Sequence, residues 1–491
     1  MKFKNFFHWP ALLVIGLLLF PLIMFLFHLG MLCWPKGVEW LSSLFWTFIQ
    51  ASLSTGVVLL LALFGSRGLL WSYKKSWYFL LEGLCLVPCL IPSLLLVVSL
   101  IHITDWFIPF PFGLGALIFV QILTYTGLAT VALSRVLVKE ASALSEWAFL
   151  HGASTWLLLR VLAQTLLRKD IKTLAVLIFV SAWTSLSLPL LTAGGASISL
   201  EFYIYKQLQD PNLWPQAGAL ILLQTLFVFL LCLKGFSGKA SFSLQKKAVP
   251  PLLPSPFFIL IPLLPVVFSL GGLFFIPNRK VITDFSQLTP LLVSAGKTSL
   301  LLGFGVGGLT FGGLILMALS FSNIFGRKFV TSYLNPGTSL TGFAFLLIPF
   351  ASGPWIELKW IAGLTLLTFP FIYRFRGELS LEKLTSQVET ARLCGADWGL
   401  MFRDILWPQC RGAFCLCAGL AGFWAAGDFA YTLIVSQGKW NLALVVYDLF
   451  SSYRLELAIL GSWLLLGICF LILLFWIGVG YVLDKKIILY R

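Results

Sequence analysis

Charge is scarce in this chain. Of its 491 residues, 11% are Asp, Glu, Lys or Arg, against about 25% in ordinary soluble domains. That scarcity excludes a water-soluble globule of this length, whose surface polar groups would have to cover. Histidine is rare too: His8, His28, His102 and His151 lie far apart. The nine cysteines include no Cys-x-x-Cys pair. Neither set offers a zinc site or a clustered catalytic constellation, so the cysteines read as small apolar fillers and no membrane enzyme is expected. A complete phosphate-binding loop is also missing. Gly296-Lys297-Thr298 has the ending of one, but the required glycine five residues before Gly296 is Leu291. The chain is therefore expected to carry no cofactor and no ATP site of its own.

What is abundant is apolar surface. Hydrophobic residues make up 59% of the chain and the mean hydropathy is +0.95. Many windows of about 18 residues or more carry no charge, as lipid-spanning helices require. A hydrocarbon core needs roughly 20 apolar residues per helix. That ruler gives spans at 11–32, 41–65, 77–101, 113–134, 171–193, 215–234, 256–276, 289–320, 338–356, 359–375, 412–436 and 456–483. The first has Lys2 and Lys4 before it and no small-x-small cleavage site after it, so it reads as an uncleaved helix. The eighth is rich in glycine (Gly303, Gly305, Gly307, Gly308, Gly312, Gly313), which permits close helix packing.

The net charge of +15 does not form a nucleic-acid patch. Its Lys and Arg residues lie between apolar runs, as topology signals and as attraction to anionic headgroups. With the N-terminus in the cytoplasm, 26 of the 34 fall on the cytoplasmic side and 8 on the other. That asymmetry predicts N-in and C-in, with an even number of spans.

Two cytoplasmic connections, 135–170 and 376–411, are longer than the rest, and each follows the fourth span of a set of six. A Gly-, Ser-, Lys- and Pro-containing stretch, 235–255, reads as a linker. The expected fold is an all-α polytopic membrane protein of about 12 helices in two tandem six-helix repeats, 1–234 and 256–491.

The second long loop contains VETARLCGADWGLMFRDILWPQ, Val388 to Gln409. Its skeleton is Glu389, Ala391, Gly395, Ile405 and Pro408, with Arg403 between. These residues resemble the cytoplasmic signature of binding-protein-dependent ABC importer permeases. That pattern is Glu-Ala-Ala, three residues, Gly, nine residues, Ile, one residue, Leu, Pro. Thr390 stands at the first alanine position and Trp407 at the leucine; every spacing holds. A second copy lies 243 residues earlier: Glu146, Ala148, Gly152, Arg160 opposite Arg403, and Leu162 at the isoleucine position. Trp147, Gln164 and Thr165 depart from the pattern there. Physically, each copy is a short helix, a glycine turn and a second helix, a ledge suited to dock on a soluble partner. The plainer alternative is an ordinary amphipathic loop; its repetition at equivalent places favours the ledge.

The resemblance implies a fused permease, similar to those for thiamine, with ferric-iron permeases as the alternative. The segments carrying it further are Phe179 to Leu208 and Gly427 to Arg454. It implies two copies of a cytoplasmic ABC ATPase, a periplasmic substrate-binding protein and a bacterial inner membrane, with no nucleic acid partner. A secondary transporter is the second alternative, although duplicated loops on one side make the repeats parallel. Asp428 lies inside an apolar run, where an ionisable group faces a cavity or a partner. It either lines a path for a cation or makes a structural hydrogen bond. Its repeat mate is Ser185. Trp424 and Phe429 either pack on a substrate ring or serve ordinary packing.

Overall fold

The computed structural model describes residues 33–488 apart from 36, 74, 106–108, 141, 165–166, 193–198, 236–253, 275–278, 320–355, 374–376, 378–379, 382 and 437. The expected span 11–32, all but the last residue of the span 338–356, and nearly all of the linker lie outside the described residues. Every regular element within them is helical. Among the described residues, six helices are long and apolar enough to cross a membrane: Glu39–Ser72, Leu114–Val138, Trp214–Leu231, Thr289–Leu319, Trp398–Gly427 and Leu455–Asp484. The protein is thus built as a multi-pass membrane protein.

Glu39–Ser72 shows why lipid is its solvent. Ser43, Thr47, Gln50, Ser54 and Thr55 are buried, while Phe45, Trp46, Phe48, Leu53 and Leu60 are exposed. That is the reverse of a soluble helix. The hydroxyls turn back on their own helix: Thr47 Oγ1 donates to Ser43 O at 2.6 Å and Ser54 Oγ to Gln50 O at 2.7 Å.

Three expected spans are not continuous. Residues 77–101 form two helices, Tyr78–Leu90 and Ser93–Thr104, bent by 97°. Pro92 is the reason, because the residue before a proline avoids helical backbone; Ile91 is extended (φ −63°, ψ 137°). Residues 171–193 divide into Arg168–Trp183 and Ser187–Thr192. Residues 412–436 divide at Asp428 into Trp407–Gly427 and Ala430–Val435, with Asp428 extended (φ −77°, ψ 125°).

The chain clusters into two compact units. One comprises Pro35–Gln209 and Leu223–Ile276. In it Glu39–Ser72 packs on Leu114–Glu140 and Arg168–Trp183, and Leu260–Gly271 packs on Ser93–Thr104. Gly127 lets two helices touch: a Cβ there would lie 1.8 Å from Cys85 O. The other unit includes Asp210–Leu222 and Pro277–Arg491. Its central helix, Trp407–Gly427, packs on Leu455–Ile488, Thr289–Leu319 and Ile356–Ile372. Of the glycines on Thr289–Leu319, Gly303 meets Gly422 O and Ile472, Gly307 meets Trp476, and Gly313 meets Phe369, whereas Gly308 and Gly312 face open space.

Candidate functional site

The two expected ledges have the same backbone. Ser142–Leu150 ends at Gly152 (φ 67°), and Thr385–Leu393 ends at Gly395 (φ 80°). Gly152 N donates to Phe149 O at 3.1 Å and Ala153 N to Ala148 O at 2.9 Å. Likewise Gly395 N donates to Arg392 O at 3.1 Å and Ala396 N to Ala391 O at 3.0 Å. This is the Schellman end, whose left-handed residue is usually glycine. The next helix starts alike in both. Ser154 Oγ accepts from Leu157 N at 3.3 Å, and Asp397 Oδ2 from Gly399 N at 3.3 Å.

Glu146 and Glu389 are exposed, as are Arg160 and Arg403, while Ala148 and Ala391 are half-buried. Arg403 pairs with its neighbour Asp404 at 2.8 Å. Leu162 anchors the first ledge in a buried cluster with Val136, Leu137, Leu158 and Leu159. Ile405 is half-buried. Past the turn, the second ledge runs directly into the span expected to begin at 412. Its helix does not stop near Pro408 but continues as one apolar span, Trp398–Gly427. Pro408 lacks an N–H and its ring crowds the carbonyl one turn back. The chain widens to a π turn at Phe402–Leu406, with Trp407 N donating to Phe402 O.

The faces of the ledges differ. Trp147, Phe149, Leu150 and Trp156 are exposed on the first. Thr390, Arg392, Leu393 and Gly399 stand at the same positions on the second.

No family model, curated protein or solved structure matches this chain.

The Asp428 carboxylate is occupied locally. Its Oδ2 accepts from Tyr431 N at 3.0 Å and Thr432 N at 3.4 Å, so it caps Ala430–Val435. Asn441 Nδ2 donates to Asp428 O at 2.8 Å and Asn441 Oδ1 accepts from Leu444 N at 2.8 Å. Phe429 is buried and stacks on Tyr447 at 5.1 Å. Half-buried Trp424 meets Phe371 edge-on at 5.1 Å. Ser185 lies in the break between Trp183 and Ser187, half-buried.

A second correspondence spans the units' interiors. Thr47 Oγ1 accepts from Leu200 N at 2.7 Å in one unit, and Ser299 Oγ from Leu442 N at 3.0 Å in the other. Ser199 and Asn441, just before those residues, are the caps of Leu200–Leu208 and Leu442–Ser451.

Sequence reasoning missed a buried carboxylate. Glu201 is 0% exposed, and its Oε1 accepts from Gln224 Nε2 at 2.7 Å. Gln50, Gln121 and Gln224 are buried as well. The signal was present, since each glutamine interrupts an apolar run. Among the described residues, no three His, Cys, Asp or Glu side chains come together as a metal site.

Proposed function

We propose that this chain is the channel-forming permease subunit of an ATP-binding-cassette importer in a bacterial inner membrane. It has twelve spans in two tandem six-helix halves, with both termini in the cytoplasm. The observation that supports this reading is the pair of glycine-terminated ledges 243 residues apart, with the same two backbone hydrogen bonds in each. The paired hydroxyl-to-amide contacts at Leu200 and Leu442 support the duplication independently.

In this reading each ledge takes one copy of a soluble ATPase, and nucleotide-driven motion of the ATPases reaches the spans through the stiff turns. A periplasmic binding protein delivers the substrate, thiamine or a related small cation. The left-handed glycine matters because the positive φ that ends each ledge helix costs a residue with a Cβ about 1–2 kcal/mol.

The test is Gly395→Asp. The variant is expected to insert in the membrane, lose ATPase association and lose uptake. Normal uptake by this variant would refute the docking role. Uptake by the purified chain in vesicles without any nucleotide-hydrolysing companion would refute the importer.

A further inference from the structure

The stretch that follows the linker, 256–276, opens the second half of the sequence but packs with the first. It forms the apolar helix Pro256–Gly271, inside the unit of Pro35–Gln209 and Leu223–Ile276, and the chain after it enters the other unit. A 3-10 turn of 4 residues and an α-helix of 12 make it about 26 Å long, less than the roughly 30 Å of a hydrocarbon core. Helix ends carry unpaired backbone groups, which are costly wherever water is absent.

The first half supplies partners at both ends. At the start, Ser255 N donates to Arg67 O at 3.1 Å, and the Arg67 guanidinium lies over the Phe258 ring at 4.8 Å. At the finish, Ser99 Oγ donates to Phe268 O at 2.8 Å and accepts from Gly272 N at 3.0 Å. One hydroxyl of the first half thus pairs two backbone groups of the second.

Both ends also need glycine. A Cβ on Gly68 would collide with the Ile259 backbone, and a Cβ on Gly272 with Ser99 O. Between them, Pro262, Pro265, Val266 and Ser269 form one buried stripe at helical spacing. Phe257, Leu260, Leu264 and Val267 are exposed, as suits a face turned to lipid. Leu263 packs on a buried cluster that includes Leu69, Leu81 and Val131, all from the first half.

We infer that Pro256–Gly271 is an exchanged helix, the element by which the second half of the chain grips the first. Its docking surface is the face of the first half marked by Arg67, Gly68 and Ser99, and its occupant is this one segment. The contact, rather than the covalent linker 235–255, keeps the segment in place. This inference does not rest on the importer reading, since it needs no ATPase and no substrate.

The test inserts a protease site between Lys239 and Lys246 of the full chain, with an affinity tag at the C-terminus. The protein is purified in mild detergent, cut, and captured again by the tag; the amount of N-terminal fragment retained is measured. The wild-type fragments are expected to stay together. Gly68→Leu and Gly272→Leu are expected to lower retention about tenfold, the scale of an overpacked contact. Gly56→Leu lies on the same helix as Gly68, with open space around it, and is expected to change nothing. Ser99→Ala removes only the hydroxyl and is expected to lower retention as well, which keeps the test decisive should the leucine variants fail to fold. Fragments that separate in the wild type, equal retention in Ser99→Ala and wild type, or a loss in Gly56→Leu as large as in Gly68→Leu would overturn the inference.

Discussion

Arg135 Nε lies 2.5 Å from Glu82 Oε1, tying the Leu114–Glu140 helix to the Tyr78–Leu90 helix. Glu82 is buried, whereas the Arg135 side chain is 30% exposed. Removing one member leaves the other charge partly desolvated. Glu82→Leu is expected to destabilise by about 1–3 kcal/mol, less than for a fully buried pair because water reaches Arg135. The exchange Glu82→Arg with Arg135→Glu should recover most of the loss. Melting temperatures in detergent, followed by tryptophan fluorescence, provide the measurement; no loss in Glu82→Leu would deny the pair a structural role.

Gly127 touches the carbonyl of Cys85 so closely that one added methyl group forces the helices apart. Gly127→Ala is expected to cost about 1–3 kcal/mol, the scale of overpacking a tight interior. Gly308→Ala, on a helix face open to space, should be neutral or slightly stabilising. The two melting curves side by side check this, and equal effects would refute it.

At Gly395 the space for a Cβ is free, so substitution there strains the backbone and nothing else. The left-handed conformation costs a residue with a Cβ roughly 1–2 kcal/mol, and Asn less. Uptake should therefore fall in the order Gly395, Gly395→Asn, Gly395→Val, with membrane insertion unchanged. Gly152 should follow the same order. An uptake assay in cells lacking the native chain would expose any other ranking.

The Asp428 carboxylate caps a helix turn, a task an asparagine side chain also performs. Asp428→Asn is expected to keep stability within about 0.5 kcal/mol and to retain uptake, while Asp428→Leu loses about 1 kcal/mol. Strongly reduced uptake in a stable Asp428→Asn protein would show that its charge serves transport.

The hydrogen bond from Lys439 holds the Glu357 carboxyl below the ordinary glutamate range. A carboxylate whose folded pKa is lowered contributes stability above its unfolded pKa and loses it as pH falls through the folded value. The pair is exposed enough for solvent to screen it, so the effect is small. Lys439→Met should flatten the acid limb of the stability curve slightly, and the difference should shrink in high salt. An identical acid limb in both proteins would remove the linkage.

Much of the architecture was legible in the sequence, because apolar run length is a one-dimensional property. The helix over 289–319 follows its apolar run almost to the residue. So does the ledge turn, whose glycine and helix lengths are local. The interruption at Pro92 was legible but missed: hydropathy stays high across it, and only the backbone restriction before a proline shows the bend. The continuation of the second ledge into its span was hidden for another reason. Proline predicts a boundary, and a π turn removes the conflict at no cost in hydropathy.

By itself the sequence determined that this chain is helical, multi-pass and built around glycine-ended ledges, since composition and residue spacing carry those features. Only the tertiary structure decided which buried polar groups meet. Glu82 finds Arg135, 53 positions away, and Glu201 finds Gln224, 23 positions away. The rotation of each helix about its own axis decides those encounters, and that angle is set by how neighbouring helices pack.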